Sequence, residues 1–172
     1  QSDLLGAHAL GVRNVVFMGG DPPTNGDHPE AKGVFDLGSV ELLAAARGLN
    51  GGTDLAGKSL KGQTELLIGA VANPGADDVE AELARLGQKL ESGAKFFQTQ
   101  AVYDPEAFMR FNERARAMGA YLLAGIIPLK SPKMARFLDD KVPGISIPEH
   151  LMKRVDAAHD STATANEIAA DT

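Results

Sequence analysis

The chain has 172 residues, 44% hydrophobic and 23% charged, with a net charge of −6, a globular composition long enough to bury one core. Its 17 Lys and Arg are scattered, not gathered into the basic stripe that a nucleic-acid binder needs. There are no cysteines, which excludes disulfides, thiolate metal ligands and a Cys nucleophile.

In chain order, Leu4, Leu5, Ala7, His8 and Leu10 have the spacing of a helix that Gly11 ends. Asn14 to Met18 is a short apolar run stopped by Gly19-Gly20, the pattern of a strand buried on both faces. A Pro/Gly-rich loop follows to Lys32, then a helix over Gly38 to Arg47 and a glycine-rich, irregular connection over Gly48 to Gln63. Leu66 to Ala70 reads as the second strand, ended by Asn73-Pro74. Over Asp77 to Ser92, Val79, Leu83, Leu86 and Leu90 form one apolar helical stripe, with acids at the start and Gly93 at the stop. Phe96 to Val102 is the third strand and Pro105 to Met118 the third helix, with Pro105 in its first turn. Tyr121 to Ile127 is the fourth strand, Pro132 to Leu138 a short helix, and Glu149 to Ala158 an amphipathic segment, with no fifth strand between them.

Strand and helix therefore alternate four times, which implies a parallel sheet with helices outside it. Four β/α units suit half a barrel or a small doubly wound sheet. Asp21, Asn73, Gln100 and Lys130 fall at or just past the C-terminal ends of successive strands, the edge where such folds build sites. No apolar run approaches a membrane span, no leader is visible, and a cytoplasmic location is expected. The opening at Gln1 and the closing helix start over Thr162 to Ala170 are expected to be cut ends.

Three motifs invite chemistry. Gly20-Asp21-Pro22-Pro23 is good turn material, and it also holds a carboxylate rigidly at a strand end, where it could face a developing cation. Gln98 and Gln100 share one strand face. A glutamine buried there needs partners, from a structural network or from a ligand edge with donors and acceptors. Glu82, Arg85 and Lys89 lie on the polar side of their helix, where a solvated i,i+3 ion pair is the default. His28 and His150 have no neighbours at metal spacing, so no metal is expected, and phosphate-loop and nucleophilic-serine motifs are lacking.

Together these stretches resemble the methylenetetrahydrofolate reductase family. The likeness runs through Asn14 to Pro23, Gly26-Asp27-His28-Pro29, Val34-Phe35-Asp36, Ile68-Gly69-Ala70 with Asn73-Pro74, Lys89 with Ser92 to Gln100, Ala124 to Leu129, and Val142-Pro143-Gly144-Ile145. It implies a TIM (β/α)8 barrel, here incomplete and truncated at both ends as a single domain over 1–172, its strands matching the family's fourth to seventh. It implies FAD across the strand ends, a folate substrate stacked on the flavin, and reduction of 5,10-methylenetetrahydrofolate to 5-methyltetrahydrofolate. Electrons would come from NAD(P)H or a partner redox subunit, and a homo-oligomer is compatible. Asp21 matches the aspartate beside flavin and pterin, and Gln100 a glutamine that bonds the pterin. Ala70 matches a flavin-lining position, while Glu82 and Lys89 match positions at its ribose and phosphates. Val71 and Asn73 stand where some members carry a tyrosine and a histidine, Asn73 being counted with the cofactor-binding set. Asp54 to Gly57 reads as an insertion shared by part of the family. The family's general-acid glutamate would lie upstream of Gln1, so the fragment alone is expected to be inactive. A non-catalytic flavin- or folate-binding subunit of the same fold is the alternative.

Overall fold

The computed structural model describes residues 1–172, the side chain of Asn25 aside. The elements are α1 (Ser2–Ala9), β1 (Asn14–Phe17), α2 (Ser39–Asn50), β2 (Leu67–Ala72), α3 (Val79–Glu91), β3 (Phe96–Ala101), α4 (Pro105–Ala117), β4 (Tyr121–Gly125), α5 (Pro132–Lys141), α6 (Glu149–Asp156) and α7 (Ser161–Asp171). The strands form one parallel sheet in the order β1-β2-β3-β4, with Val15 opposite Ile68 and Phe17 opposite Ala70. This alternation is that of part of a TIM (β/α)8 barrel. No helix is long and apolar enough to cross a membrane among the described residues.

By its internal packing the chain divides into two compact units, Gln1–Val71 with Gly87–Phe97, and Ala72–Leu86 with Gln98–Thr172. In the first, Leu43, Ala46 and Leu49 of α2 are buried, as are Ile68 and Ala70 of β2 and Phe97 of β3. The ring of Phe96 lies over Gly69, so closely that a Cβ at Gly69 would strike it. α2 runs three residues past its expected end at Arg47, to Asn50. There the Asn50 carboxamide acts like one residue of strand. Its Nδ2 donates to the Leu66 carbonyl (2.8 Å), and its Oδ1 accepts from Leu66 N (2.9 Å) and Thr64 Oγ1 (2.7 Å). Within the glycine-rich connection, Thr53 and Ser59 form an antiparallel bridge.

In the second unit, Tyr103, Leu129, Ala135, Leu138, Ile145, Ile147, Leu151, Val155 and Ile168 make a continuous core. Helix starts are capped by side chains: Asp78 accepts from Ala81 N, Asp104 from Ala107 N, Ser131 from Met134 N, and Asp160 from Thr162 N and Ala163 N. Arg114 of α4 forms a two-bond ion pair with Glu80 of α3, which lowers the Glu80 carboxyl and raises the Arg114 guanidinium, first through the hydrogen bond and then through charge.

The first strand was expected to be buried on both faces, and Asn14 is exposed with Val15, Val16 and Phe17 only half-buried. In β2, by contrast, Ile68, Gly69 and Ala70 are buried in succession and so on both faces. Tyr121 and Leu123, two apart and so on one face of β4, are 67% and 56% exposed. On the other face of β4 Leu122 is half-buried and Ala124 exposed, so this apolar run is only partly covered within the chain.

Candidate functional site

In the first unit, Asp21 lies four residues past β1, exposed, just before the short 3₁₀ turn Pro23–Asn25. Pro22 (φ −57°) caps that turn and Pro23 begins it, so the backbone after Asp21 has little freedom. No hydrogen bond or ion pair engages the Asp21 carboxylate among the described residues. Ala70 is fully buried within β2, opposite Phe17 of β1. Lys89 is 7% exposed and donates from Nζ to the Val71 carbonyl at 2.7 Å.

In the second unit, Asn73 immediately follows β2. Its backbone N–H donates to Glu82 Oε1 (2.9 Å) and its Oδ1 accepts from Gly75 N (3.1 Å). The other Glu82 oxygen accepts from Arg85 Nε at 3.1 Å. The expected i,i+3 pair is present; the solvated setting expected with it holds for Arg85 but not for Glu82 and Lys89. Glu82 and Lys89 are 6% and 7% exposed, each turned onto backbone at the end of β2. Buried charges survive there because each is hydrogen-bonded.

The glutamines also differ from expectation. Gln98 is exposed and Gln100 half-buried, while the buried polar residue of β3 is Thr99. Thr99 Oγ1 donates to the Gln100 carbonyl and accepts from Gly125 N, both at 2.9 Å. Gln100, next to last in β3, accepts from Ala101 N at Oε1 (3.1 Å) and donates from Nε2 to the Pro143 carbonyl (3.5 Å). That use leaves one N–H and one oxygen lone pair on the carboxamide for a ligand. Lys130, five residues past β4, is exposed.

A cavity of about 170 Å³ opens at Ala101, the residue after Gln100, walled also by Pro74, Val102, Tyr103, Phe108 and Ser146. Burial pushes the Tyr103 phenol up to about 12, and its hydroxyl donates to the Ile127 carbonyl at 2.8 Å. Sequence reasoning did not find Tyr103, nor the approach of Gly144 to Asn73, where a Cβ would collide with the Asn73 amide. The Val142 to Ile145 motif was the only signal for the latter.

The family model described as methylenetetrahydrofolate reductase matches residues 1–172. Methylenetetrahydrofolate reductase 2 of Schizosaccharomyces pombe is 29% identical, over 88% of this chain and 24% of its own length. Methylenetetrahydrofolate reductase (NADH) 1 of Zea mays is 30% identical, over 77% of this chain and 24% of its own. The 5,10-methylenetetrahydrofolate reductase of Escherichia coli is 25% identical, over 94% of this chain and 49% of its own. A solved structure of a Clostridium thermocellum protein that binds two copies of 5-methyl-5,6,7,8-tetrahydrofolic acid is 27% identical. It covers 62% of this chain and 41% of that one at a TM-score of 0.42, too low for the superposition to bear on fold or ligand. The chain thus spans about a quarter to a half of the curated relatives it matches. With a family model matched along its whole length, the chain belongs to the methylenetetrahydrofolate reductase family.

Proposed function

We propose that this chain is part of an FAD-dependent enzyme that reduces 5,10-methylenetetrahydrofolate to 5-methyltetrahydrofolate, with NAD(P)H or a partner protein as electron donor. The observation that carries the reading is the family match along all of residues 1–172. The chemistry of the side chains agrees with it. Asp21 offers an exposed carboxylate on a stiff turn, and Gln100 a carboxamide with half its hydrogen-bonding capacity unspent. Glu82 and Lys89 carry the acceptor and donor types that ribityl hydroxyls and a pyrophosphate take. Because both now bond backbone, a ligand would have to share or displace those contacts.

When bound and reduced, FAD would supply the hydride. The chain's own residues then have separate tasks. Asp21 would stabilise the positive charge of the folate's iminium form, since a fixed carboxylate in a site shielded from water acts strongly on a developing cation. Gln100 would hold the pterin edge, its remaining N–H donating and its remaining lone pair accepting. Asn73, Glu82 and Lys89 would face the cofactor, with Ala70 in the wall behind it. Protonation of the folate nitrogen is assigned to no residue of this chain.

The test is anaerobic visible spectroscopy on the full-length parent protein with 5-methyltetrahydrofolate as reductant. Bleaching of a bound flavin spectrum is expected. A flavin spectrum that stays unchanged would favour a flavin-carrying subunit without this chemistry, and the lack of any flavin would remove the FAD assignment.

A further inference from the structure

Building on the reading of Gln100 as a folate contact, we infer that Gly144 is a positioning residue. By letting its loop seat on Asn73, it brings the Pro143 carbonyl to the Gln100 carboxamide and so sets which way that carboxamide points. Every group involved lies in the second unit.

The loop is held at both ends. Val142 N donates to the Leu138 carbonyl at the end of α5 (3.2 Å), Ile145 N closes a turn onto the Val142 carbonyl (3.2 Å), and Ile147 N donates to Asp139 Oδ1 (2.8 Å). Ile145 and Ile147 are anchored in the core. Between these anchors the chain must pass close to Asn73. Gly144 adopts φ +77°, a left-handed conformation that a side chain disfavours. A Cβ there would also run into Asn73 Nδ2. The approach is tight from the other side too: a Cβ at Gly75 would stand 3.3 Å from the Gly144 carbonyl.

Asn73 cannot simply step aside. Its Oδ1 is held by Gly75 N and its backbone N–H by Glu82, which leaves Nδ2 turned toward Gly144. The same seating brings the Pro143 carbonyl to Gln100 Nε2, while Ala101 N holds Gln100 Oε1. A flipped carboxamide would set two donors against each other at Ala101 and two acceptors at Pro143. One orientation is therefore specified, and it leaves one donor and one acceptor of the carboxamide for a pterin's lactam edge, which needs both. At 3.5 Å the Pro143 contact is long, so a loop lifted by a few tenths of an ångström loses it.

The experiment uses the full-length protein labelled with ¹⁵N-glutamine, together with calorimetric titration of 5-methyltetrahydrofolate. The Gln100 side-chain NH2 signal is assigned by its loss in Gln100→Ala. Gly144→Ala is expected to move that signal, weaken folate binding roughly tenfold or more, and raise the folate KM more than it lowers kcat. Asn73→Ala combined with Gly144→Ala makes room for the added methyl, so the double variant should lose clearly less than the sum of the two single losses. An unmoved Gln100 signal with unchanged affinity in Gly144→Ala, or strictly additive losses, would overturn the inference. Should Gly144→Ala not fold, Asn73→Ala alone is expected to shift the Gln100 signal through loss of the loop's seat, and an unshifted signal overturns it. A wild-type protein that binds no folate would sink the folate reading, while the Gln100 signal would still decide the role of Gly144.

Discussion

Asp21 and Tyr103 show how the immediate surroundings of a single side chain set what it does. Asp21 stands exposed on a turn stiffened by two prolines, with geometry fixed and charge unspent. Asp21→Asn keeps the shape and removes the charge, so in the full-length protein it should lower turnover by about 10²-fold, the usual scale for one preorganised electrostatic contact. Flavin content should stay unchanged. Turnover within threefold of wild type would remove the electrostatic role. Tyr103 is the opposite case, 4% exposed and pushed up to about 12 by burial. Since folding raises this pKa, the neutral phenol stabilises the fold fully below its ordinary value of about 10. That contribution is lost as the pH rises through about 12. Ultraviolet titration of the tyrosinate should show a phase near the upper value that vanishes in Tyr103→Phe. The variant's stability should also fall less steeply with pH across that window.

At the scale of elements, α3 carries the clearest lesson. Its apolar stripe of Val79, Leu83, Leu86 and Leu90 is readable from period alone. Which polar residues also turn inward is not. Glu82 and Lys89 sit at the margin of the stripe, and only the nearby end of β2, with its Asn73 N–H and Val71 carbonyl, draws them in. Glu82→Ala should therefore cost about 1–3 kcal/mol by orphaning that N–H, whereas Glu82→Gln, which keeps an acceptor, should cost distinctly less. Equal melting losses for the two would show that charge, and not the bond to Asn73, is what matters. Strands β1, β2 and β4 were legible for a similar reason: each is a short apolar run with Gly or Pro at or just past its end. Their ends were not, because Gly125 closes β4 through bonds with Thr99 and Val102 that are remote in sequence. The link from Gln100 to Pro143 spans 43 residues and has no local signature at all. The candidate site was legible as a set of residues at strand ends; the contacts that orient those residues were not.

For the whole molecule, the relevant facts are the two units and the match to only 49% of the Escherichia coli relative. Leu67, Tyr121 and Leu123 are strand residues with 47%, 67% and 56% of their surface exposed, apolar groups that a covering element would take out of water. We propose that the 172 residues form part of a larger catalytic domain that covers them. The isolated chain is then expected to bind a hydrophobic dye such as anilinonaphthalene sulfonate, to melt broadly and to give no turnover. A sharp cooperative melt with measurable reductase activity would refute that expectation.

The Asn50 carboxamide has a consequence for how this fold can be edited. By bonding both the N–H and the carbonyl of Leu66, and accepting from Thr64, it ties the exit of α2 to the entry of β2 without using the intervening connection. A second tie, from Leu60 N to the Gly52 carbonyl, closes the neck of that connection. Beyond the neck, Gly57 turns at φ +78° in open space. Chain length there is thermodynamically cheap, because loop-closure entropy grows only slowly with added residues. The junction of Gly57 and Lys58 is thus a natural port, where a tag, a fluorophore or a second domain can be spliced in while the sheet keeps its register.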